Sequence, residues 1–369
     1  MRVLVIVDTA QRSRYLEAVV ASLRANNGID IVFATLAPVG PVHAALEGEG
    51  CPAMSFDIAS RAQLWRLGKR LGRACSEGHF DIVHSHEVIP TVAVGLAQFA
   101  GKGPVRIFHR HHGQGRLRLR AASRAASRLS HFTVAVSAFA AREASYSDKR
   151  PPSRVAIAYN GVPAMRRVPA VELDDLRASL GIPRSASTVV MVARLRPEKG
   201  HAVLLDALPA VVGQLGRPLH AVLVGDGPLT AAIVSKARSL PGVPVHMVGH
   251  QDDVAPWYAL ADVVAIPSLN DAFPLVAVEA MASGKPVVAS AVGGLREAIQ
   301  HEHTGLLVEP DDPDSLGRSI VDLLANPSLA GTLAAAGNCD YQARFTTERM
   351  AAAWLAAYET AVKITKRRQ

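Results

Sequence analysis

A chain of 369 residues, of which 49% are hydrophobic and 20% charged, has the size of two α/β domains and the composition of a folded globular protein. Its three cysteines, at positions 51, 75 and 339, are too widely spaced for a disulfide framework or a zinc motif, which favours a reducing cytosol. Arg2 is followed by a run of only five apolar residues, so we expect no secretory leader. We also expect no membrane span, because no apolar run in the sequence is long enough.

The net charge of +8 is distributed unevenly along the chain. Residues 1–165 contain 21 lysines and arginines against 11 acidic residues, a balance of +10, whereas residues 166–369 contain 19 against 21, a balance of −2. A basic first half suggests an anionic partner: a phosphorylated acceptor, an anionic membrane surface or nucleic acid. The alternative, a basic surface without a dedicated partner, fits the charge count equally well.

Short apolar, β-branched runs alternate with longer alanine-rich segments in the first half of the chain. Among the longer segments, Tyr15–Arg24 and Leu64–Cys75 have apolar residues at helical spacing. The short runs predict strands at Val3–Val7, Ile29–Leu36, Ala53–Phe56, Ile82–His84, Val105–His109, Phe132–Val136 and Val155–Tyr159. Such alternation predicts a parallel sheet that helices cover on both faces.

The same alternation restarts in the second half. The predicted strands there are Thr188–Val192, Ala221–Val224, Val245–Val248, Val263–Pro267, Pro286–Ala289 and Gly305–Val308. Between the halves, Gly161–Gly181 contains two prolines and a charged patch, so we place the interdomain linker there.

We therefore predict a first domain over residues 1–165, a second over residues 166–345, and a C-terminal helix within residues 346–369 that packs back on the first domain. Each domain is expected to be a doubly wound, Rossmann-like α/β domain, and the two are expected to face each other across a cleft. Ligands of such sheets bind beyond the carboxyl ends of the strands, which places the active site in that cleft.

Two carboxylates flank a predicted helix start in the second domain. A strand ends at Pro267, a loop carries Asp271, and a helix begins near Pro274, where the missing N–H of proline is tolerated. The amides of Phe273–Val276 are then available to sugar hydroxyls or phosphate oxygens. Glu279 follows Asp271 with seven residues between them.

This pattern resembles the acidic motif of the retaining glycosyltransferases of family 4, which have the GT-B fold. The resemblance implies that Asp271 contacts the transferred sugar and that Glu279 holds the ribose hydroxyls. It also implies that Phe273, Pro274 and Leu275 line the donor site. The family has glutamate at the first position, and the shorter side chain of Asp271 reaches less far, which leaves the sugar selectivity open.

A second motif, Ala193–Gly200, follows the first predicted strand of the second domain. It is similar to the Gly-Arg-Leu-x-x-x-Lys-Gly element of the same family and places Arg194 and Lys199 on one loop. Fixed cations there would stabilise the negative charge that develops on a departing nucleoside diphosphate, without a metal ion. The resemblance further places Gly249 near the nucleobase.

The first domain has histidines at two predicted strand ends. Asp81–His86 resembles a strand end of the same family, whose histidines stabilise a loop more often than they act in catalysis. The stretch Ile107–Gly113 has three histidines, and the family commonly places one histidine here against the donor sugar. His111 gives the best register for this role, and His109 and His112 stay open as alternatives.

Seven arginines and no acidic residue lie between Arg106 and Arg128. Four recur at helical spacing and predict a basic helix face: Arg116, Arg120, Arg124 and Arg128. This face suggests docking on a phosphate-bearing or lipid-linked acceptor at an anionic membrane surface, with an ordinary solvated helix as the alternative. No aromatic residues interleave the arginines, which argues against nucleic acid as a partner.

The resemblance covers essentially the whole chain and implies a retaining transferase with an acceptor-binding first domain and a nucleotide-sugar-binding second domain. The group moved would be a hexosyl or N-acetylhexosaminyl group, with a UDP-sugar favoured over a GDP-sugar as donor, no cofactor and no metal ion. The catalytic candidates are His111, Asp271, Arg194 and Lys199. The expected location is the cytoplasm, with a peripheral position at the inner face of the membrane as a further expectation.

The favoured pathway is synthesis of a cell-surface polysaccharide or glycolipid. A transferase that acts on a small-molecule natural product and a nucleotide-sugar epimerase of the same architecture are the alternatives. A non-catalytic protein that binds nucleotide sugars or nucleic acid is a third, supported by the basic half alone.

Overall fold

The computed structural model describes residues 1–25, 29–58, 64–97, 103–111 and 117–367. The chain divides into two units. The first comprises Met1–Pro163 together with Thr346–Gln369, and the second comprises Ala164–Phe345. The chain therefore passes from the first unit to the second inside the predicted linker, and returns to the first unit at its end.

In the described part of the first unit, seven strands form one parallel sheet. They are β1 (Arg2–Val7), β2 (Asp30–Thr35), β3 (Ala53–Ser55), β4 (Ile82–His86), β5 (Val105–Arg110), β6 (Phe132–Ala135) and β7 (Val155–Ile157). Their order in the sheet is β3-β2-β1-β4-β5-β6-β7.

In the second unit, six strands form another parallel sheet. They are β8 (Ser187–Val192), β9 (Leu219–Val224), β10 (Val245–Gly249), β11 (Val263–Ile266), β12 (Val287–Ser290) and β13 (Leu306–Val308). Their order is β10-β9-β8-β11-β12-β13. The two sheets confirm the predicted α/β architecture, and each predicted strand segment is a strand whose ends lie within two residues of the predicted ones.

Helices follow most of the strands. Those of the first unit before the linker are α1 (Arg14–Ala25), α2 (Pro41–Gly48), α3 (Leu64–Glu77), α4 (Val88–Gly95), α5 (Leu117–Leu129) and α6 (Ala138–Tyr146). Those of the second unit are α7 (Ala170–Ser179), α8 (His201–Leu215), α9 (Thr230–Arg238), α10 (Ala255–Leu260), α11 (Leu275–Ala282), α12 (Leu295–Ala298), α13 (Pro313–Ala325) and α14 (Pro327–Arg344). The last helix, α15 (Thr347–Lys366), belongs to the first unit.

Both faces of the first sheet are covered. Successive side chains of a strand point to opposite faces, so Val3 and Val5 of β1 pack in the cluster that contains α1 and α15. Leu4 and Ile6 pack in the opposite cluster, with α3. Strands buried on both faces are apolar at nearly every position, which explains why the runs were visible in the sequence.

The returning helix α15 closes one face of the first sheet. The Thr346 side chain caps it by accepting a hydrogen bond from the Arg349 amide. Its buried side chains Met350, Trp354 and Tyr358 join the cluster formed by α1 and β1. The first unit is thus completed by residues from the end of the sequence.

In the described ranges no single helix combines the length and the apolar composition needed to cross a bilayer, and α13 and α14 meet that test only as a pair bent by 101°.

We expect Trp354→Ala to lower the free energy of unfolding of the first unit by about 3–5 kcal/mol, because it removes a fully buried aromatic ring. Glu359→Ala, at an exposed position of the same helix, should change it by less than about 0.5 kcal/mol. Urea unfolding followed by far-UV circular dichroism measures both values. Equal effects of the two substitutions would contradict the packing role of α15.

Candidate active site

The centre of the second sheet contains a reversal of strand order. β8 and β11 are neighbours, yet the chain continues from β8 outward to β9 and β10, and from β11 outward to β12 and β13. The loops that follow β8 and β11 therefore leave the sheet in opposite directions. A crevice at the carboxyl ends of such strands is where doubly wound sheets bind ligands.

Lys199 and Asp271 meet at this crevice. Lys199, which follows β8, donates a hydrogen bond from Nζ to Oδ2 of Asp271, which follows β11, at 2.5 Å. The two side chains are 26% and 11% exposed, so solvent screens this ion pair less than it screens a surface pair. The structure thus brings together the predicted phosphate-binding lysine and the predicted sugar-binding carboxylate.

The backbone holds the two loops against each other. The Leu269 amide donates to the Glu198 carbonyl at 2.8 Å. Gly200, in the left-handed region at φ +72°, lies so close to the other loop that an added Cβ would be 1.8 Å from the Pro267 carbonyl oxygen. Only glycine allows this approach, because it has no Cβ and adopts positive φ without strain.

Glu279 lies on α11, beside a buried tyrosine of α10. The Tyr258 hydroxyl donates to Oε2 of Glu279 at 2.9 Å. Burial and the neighbouring Glu279 carboxylate raise the pKa of Tyr258 well above its usual range, so the phenol keeps its proton and stays a donor. Pro274 precedes the first residue of α11 as its N-cap, as the sequence predicts for this helix start.

Arg194 and Gly249 lie at the carboxyl-terminal edge of the second sheet, next to the ends of β8 and β10. Arg194 follows β8 and is exposed. The loops after β8, β9 and β10 are joined by backbone hydrogen bonds from Leu195 to Asp226, at 2.8 Å, and from Gly225 to Gly249, at 2.7 Å. The second-domain candidates all lie at or after the carboxyl ends of strands of one sheet: Arg194, Lys199, Gly249, Asp271, Phe273, Pro274, Leu275 and Glu279.

In the first unit, four imidazole rings pack on one face of β4 and β5. We call them the histidine stack: His84 and His86 on β4, His109 on β5, and His111 directly after it. The centroid of the His109 ring lies 5.0, 4.6 and 4.4 Å from the ring centroids of His84, His86 and His111, at interplanar angles of 12–27°. Trp354 of α15 contacts the rings of His84, His86 and His109 at 4.5–5.2 Å.

Hydrogen bonds divide the histidine stack into two chains. In one, the Tyr358 hydroxyl lies 2.7 Å from His84 Nδ1, and His84 Nε2 lies 3.0 Å from His109 Nδ1. In the other, His86 Nδ1 lies 2.9 Å from His111 Nε2. The Nε2 atoms of His86 and His109 are buried and have no hydrogen-bond partner among the described residues.

The three buried rings of the stack are neutral at physiological pH. Burial, with a smaller effect of the His111 charge, lowers the pKa of His84 to about 3. Burial also lowers the pKa values of His86 and His109 well below the usual value, and neighbouring histidines add to the effect. Each ring therefore has one protonated and one unprotonated nitrogen.

Nitrogen atoms of His84, His86 and His109 lie within 4.8 Å of one another, which is the spacing expected of candidate metal ligands. A metal ion about 2.0–2.1 Å from each nitrogen needs in-plane lone pairs that converge on one point. The planes of these three rings lie at 12–38° to one another, so their lone pairs lie in nearly parallel planes and do not converge. The rings would have to rotate out of the stack before they could share an ion.

Two predicted residues, His112 and Arg116, lie outside the described residues. Three others were missed by the sequence reasoning: Tyr258, Trp354 and Tyr358. The histidine stack itself had a signal, since His-x-His occurs at the ends of two consecutive strands, and alternate residues of neighbouring strands share one face.

Two family models match the chain. A model described as Glycosyltransferase Family 4 matches residues 13–166, and a model described as glycosyl transferases group 1 matches residues 186–326. The two matches follow one another along the sequence: the first lies almost wholly within the first unit, and the second lies within the second unit.

Two curated relatives of this chain share one name. A D-inositol 3-phosphate glycosyltransferase of Streptomyces scabiei is 30% identical over 315 residues, which is 77% of this chain and 69% of the relative. A protein of the same name from Salinispora arenicola is 36% identical over 230 residues, which is 57% of this chain but only 50% of that relative.

Solved structures share the fold over the whole chain. The Anabaena protein HepE, in complex with UDP, has a TM-score of 0.82 at 22% identity, covering 98% of this chain and all of that one. Sucrose-phosphate synthase of Thermosynechococcus elongatus has a TM-score of 0.75 at 22% identity, covering 97% and 98%. These likenesses confirm the GT-B fold that the sequence predicts.

Substitution of Gly200 tests the approach of the two loops, and Gly216 at the other end of α8 supplies the matched control. Both glycines have positive φ, +72° and +66°, so both alanine variants carry similar backbone strain, but only the Cβ at position 200 would collide with the Pro267 carbonyl. Gly200→Ala should therefore destabilise the second unit by at least about 2 kcal/mol more than Gly216→Ala. Denaturant titration of both variants provides the comparison, and equal losses would show that the loops separate easily.

Proposed function

We propose that the chain moves a hexosyl or N-acetylhexosaminyl group from a nucleoside diphosphate sugar to an acceptor hydroxyl, with retention of anomeric configuration. The chain belongs to the group 1 glycosyltransferases of family 4, and it is therefore a glycosyltransferase. The observation that carries this proposal is the Lys199–Asp271 pair in the central crevice of the second sheet. In this pair, a cation that can bind a diphosphate is in direct contact with a carboxylate that can bind a sugar.

The remaining donor contacts are assigned from the same edge of the sheet. Arg194, exposed on the loop that carries Lys199, is proposed to bind the diphosphate with it. Glu279, oriented by Tyr258, would accept hydrogen bonds from the two ribose hydroxyls. A uridine nucleotide is favoured because the Anabaena neighbour was crystallised with UDP and with UDP-glucose.

In the proposed reaction the bond between the anomeric carbon and the diphosphate oxygen breaks, and a bond from the acceptor oxygen to that carbon forms on the same face. The proton of the acceptor hydroxyl passes to the departing phosphate. Negative charge grows on the phosphate as it leaves, and Arg194 and Lys199 stabilise it more in the transition state than in the bound substrate. We propose that no metal ion takes part, and that His111 of the first unit contacts the donor sugar.

For the acceptor, a small hydroxylated molecule that carries a phosphate is supported by the name of the curated relatives and by the +10 balance of residues 1–165. A glycolipid or surface polysaccharide remains the second candidate, favoured by the basic helix α5. The relatives and family models are transferases, so the epimerase and the non-catalytic protein are set aside.

Glu279→Ala should cut kcat/KM for the donor by at least ~100-fold, a loss of ~2.7 kcal/mol in transition-state stabilisation, because it removes the ribose-binding carboxylate. Tyr258→Phe, which removes the hydroxyl that donates to Glu279 and keeps the ring, should cost only about fivefold, or about 1 kcal/mol. Steady-state kinetics with UDP-glucose and calorimetric titration with UDP measure these effects.

Glu359→Ala removes an exposed helix-surface carboxylate and serves as the control, with kinetics expected to match the unsubstituted protein. Near-native donor kinetics in a folded Glu279→Ala protein would exclude this residue from the site. Absence of binding to every UDP- and GDP-sugar in the unsubstituted protein would overturn the proposed donor class.

We further propose that the protein works at the cytoplasmic face of a membrane and docks through a basic surface made of Arg120, Arg124, Tyr146 and Lys149. These side chains line a pocket of about 510 Å³ between α5 and the end of α6. Tyr146 is 86% exposed, and an amphipathic phenol among cations suits the interface of an anionic bilayer. Arg124 donates two hydrogen bonds to the Ser147 carbonyl, which orders the pocket wall.

The docking proposal is tested by sedimentation with vesicles that contain phosphatidylserine. The variant Arg120→Ser, Lys149→Ser, Tyr146→Ala should bind at least ~30-fold more weakly, because each of the two cations contributes about 1 kcal/mol near an anionic surface. A variant with two exposed arginines of the second unit replaced, Arg238→Ser and Arg318→Ser, should bind as the parent does. Equal sedimentation of all three proteins, or equal binding to neutral vesicles, would rule out this surface.

A further inference from the structure

In the hydrogen bond between His86 and His111, the burial of His86 decides which of the two residues is the donor. His86 is 3% exposed, and its Nδ1 lies 2.9 Å from Nε2 of His111. His111, directly after β5, is half-buried, and its ring centroid lies 6.5 Å from that of Tyr15 at an interplanar angle of 64°. A hydrogen bond between two imidazoles requires one protonated and one unprotonated nitrogen, so there are two arrangements to compare.

In the first arrangement His86 has its proton on Nδ1 and donates to His111. The Nε2 of His86 then carries a lone pair, and the proton of His111 is on Nδ1. In the second arrangement His111 donates from Nε2, and the proton of His86 is on its own Nε2. That atom is buried and has no partner in the described part of the chain, so the second arrangement buries an unpaired N–H. Orphaned buried N–H donors are rarer in proteins than under-satisfied acceptors, which favours the first arrangement.

The packing keeps His86 in this orientation. Its ring lies 4.7 Å from that of His84 and 4.6 Å from that of His109, and Trp354 covers it at 5.2 Å. A flip of the ring would place a carbon where Nδ1 now meets His111. The buried surroundings also exclude the doubly protonated form, which would otherwise donate from both nitrogens.

We propose that His86 is a positioning residue that fixes the proton of His111 on Nδ1, so that His111 meets the donor sugar as a hydrogen-bond donor. The tautomer follows from this structure alone, whereas its use toward a sugar rests on the function proposed above. A donor N–H suits a hydroxyl oxygen, and the fixed tautomer removes the alternative in which the same atom would be an acceptor.

Other titratable groups around His111 keep their charge state over the working range. His84 and His109 are neutral because burial lowers their pKa values. Burial raises the pKa values of Tyr358 and Tyr15, and the Glu87 charge adds to the effect at Tyr15, so both phenols keep their protons. These four rings therefore add no titration of their own to the pH profile.

The test uses two amides that mimic different imidazole nitrogens. In His86→Asn the amide nitrogen can occupy the position of Nδ1 and still donate to His111, whereas in His86→Gln it falls near the position of Nε2. The hydrogen bond from His86 stabilises neutral His111, so its loss should raise the pKa of His111. We expect His86→Gln to move the acid limb of the kcat/KM profile to higher pH and to lower kcat about 10–100-fold, with donor KM nearly unchanged. His86→Asn should recover most of the kcat and the original profile.

Nitrogen-15 NMR of histidine-labelled full-length protein gives a readout that does not depend on activity. Long-range nitrogen–proton correlations, assigned through a His111→Gln protein, should show the proton of His111 on Nδ1 in the parent and in His86→Asn, and a mixture of tautomers in His86→Gln. His43→Asn, at another buried histidine of the same unit, controls for a general loss of stability.

A proton on Nε2 of His111 in the parent protein would overturn the inference even if neither His86 variant folds. So would identical pH profiles for His86→Asn and His86→Gln. The converse outcome, a proton on Nδ1 without any sugar transfer, would leave the tautomer standing and reject the proposed function instead.

Discussion

The second unit depends on how closely the loop after β8 approaches the loop after β11. Where they meet, Gly200 lies against the Pro267 carbonyl with no room for a methyl group. This approach brings Lys199 and Asp271 into contact, and Glu279 follows eight residues later on α11. Because the lysine and the carboxylate are already oriented without a ligand, binding would require less loss of side-chain entropy than at a loose surface site.

Most of the fold could be predicted because the strands are buried on both faces and therefore apolar at consecutive positions, as in Val3–Val7 and Val189–Met191. A predicted strand ends too early where the buried side chains are polar. The sequence predicts that this strand ends at His84, whereas β4 continues to His86, because residues contributed by α15 cover the histidines and make polar side chains part of the core.

The residues of the candidate sites also differ in how well the sequence predicts them. The loop residues Arg194, Lys199 and Asp271 are visible in the sequence because each belongs to a short local motif that follows a strand. The histidine stack depends on contacts between distant segments: His86 meets His111 across 25 residues, and His84 meets Tyr358 across 274. Hydrophobic periodicity carries no information about which strands become neighbours or which helix covers them, so these contacts required the structure.

The split of the first unit between the two ends of the chain has a consequence for biosynthesis. A ribosome that adds about 5–20 residues per second places roughly 10–50 s between the synthesis of His111 and that of Trp354. During this interval the first sheet lacks the helix that covers one of its faces, whereas the second unit, continuous in sequence, has all of its residues before Trp354 is made. The middle of the chain is therefore expected to fold before its beginning, and the nascent first sheet is the segment that a chaperone would have to shield.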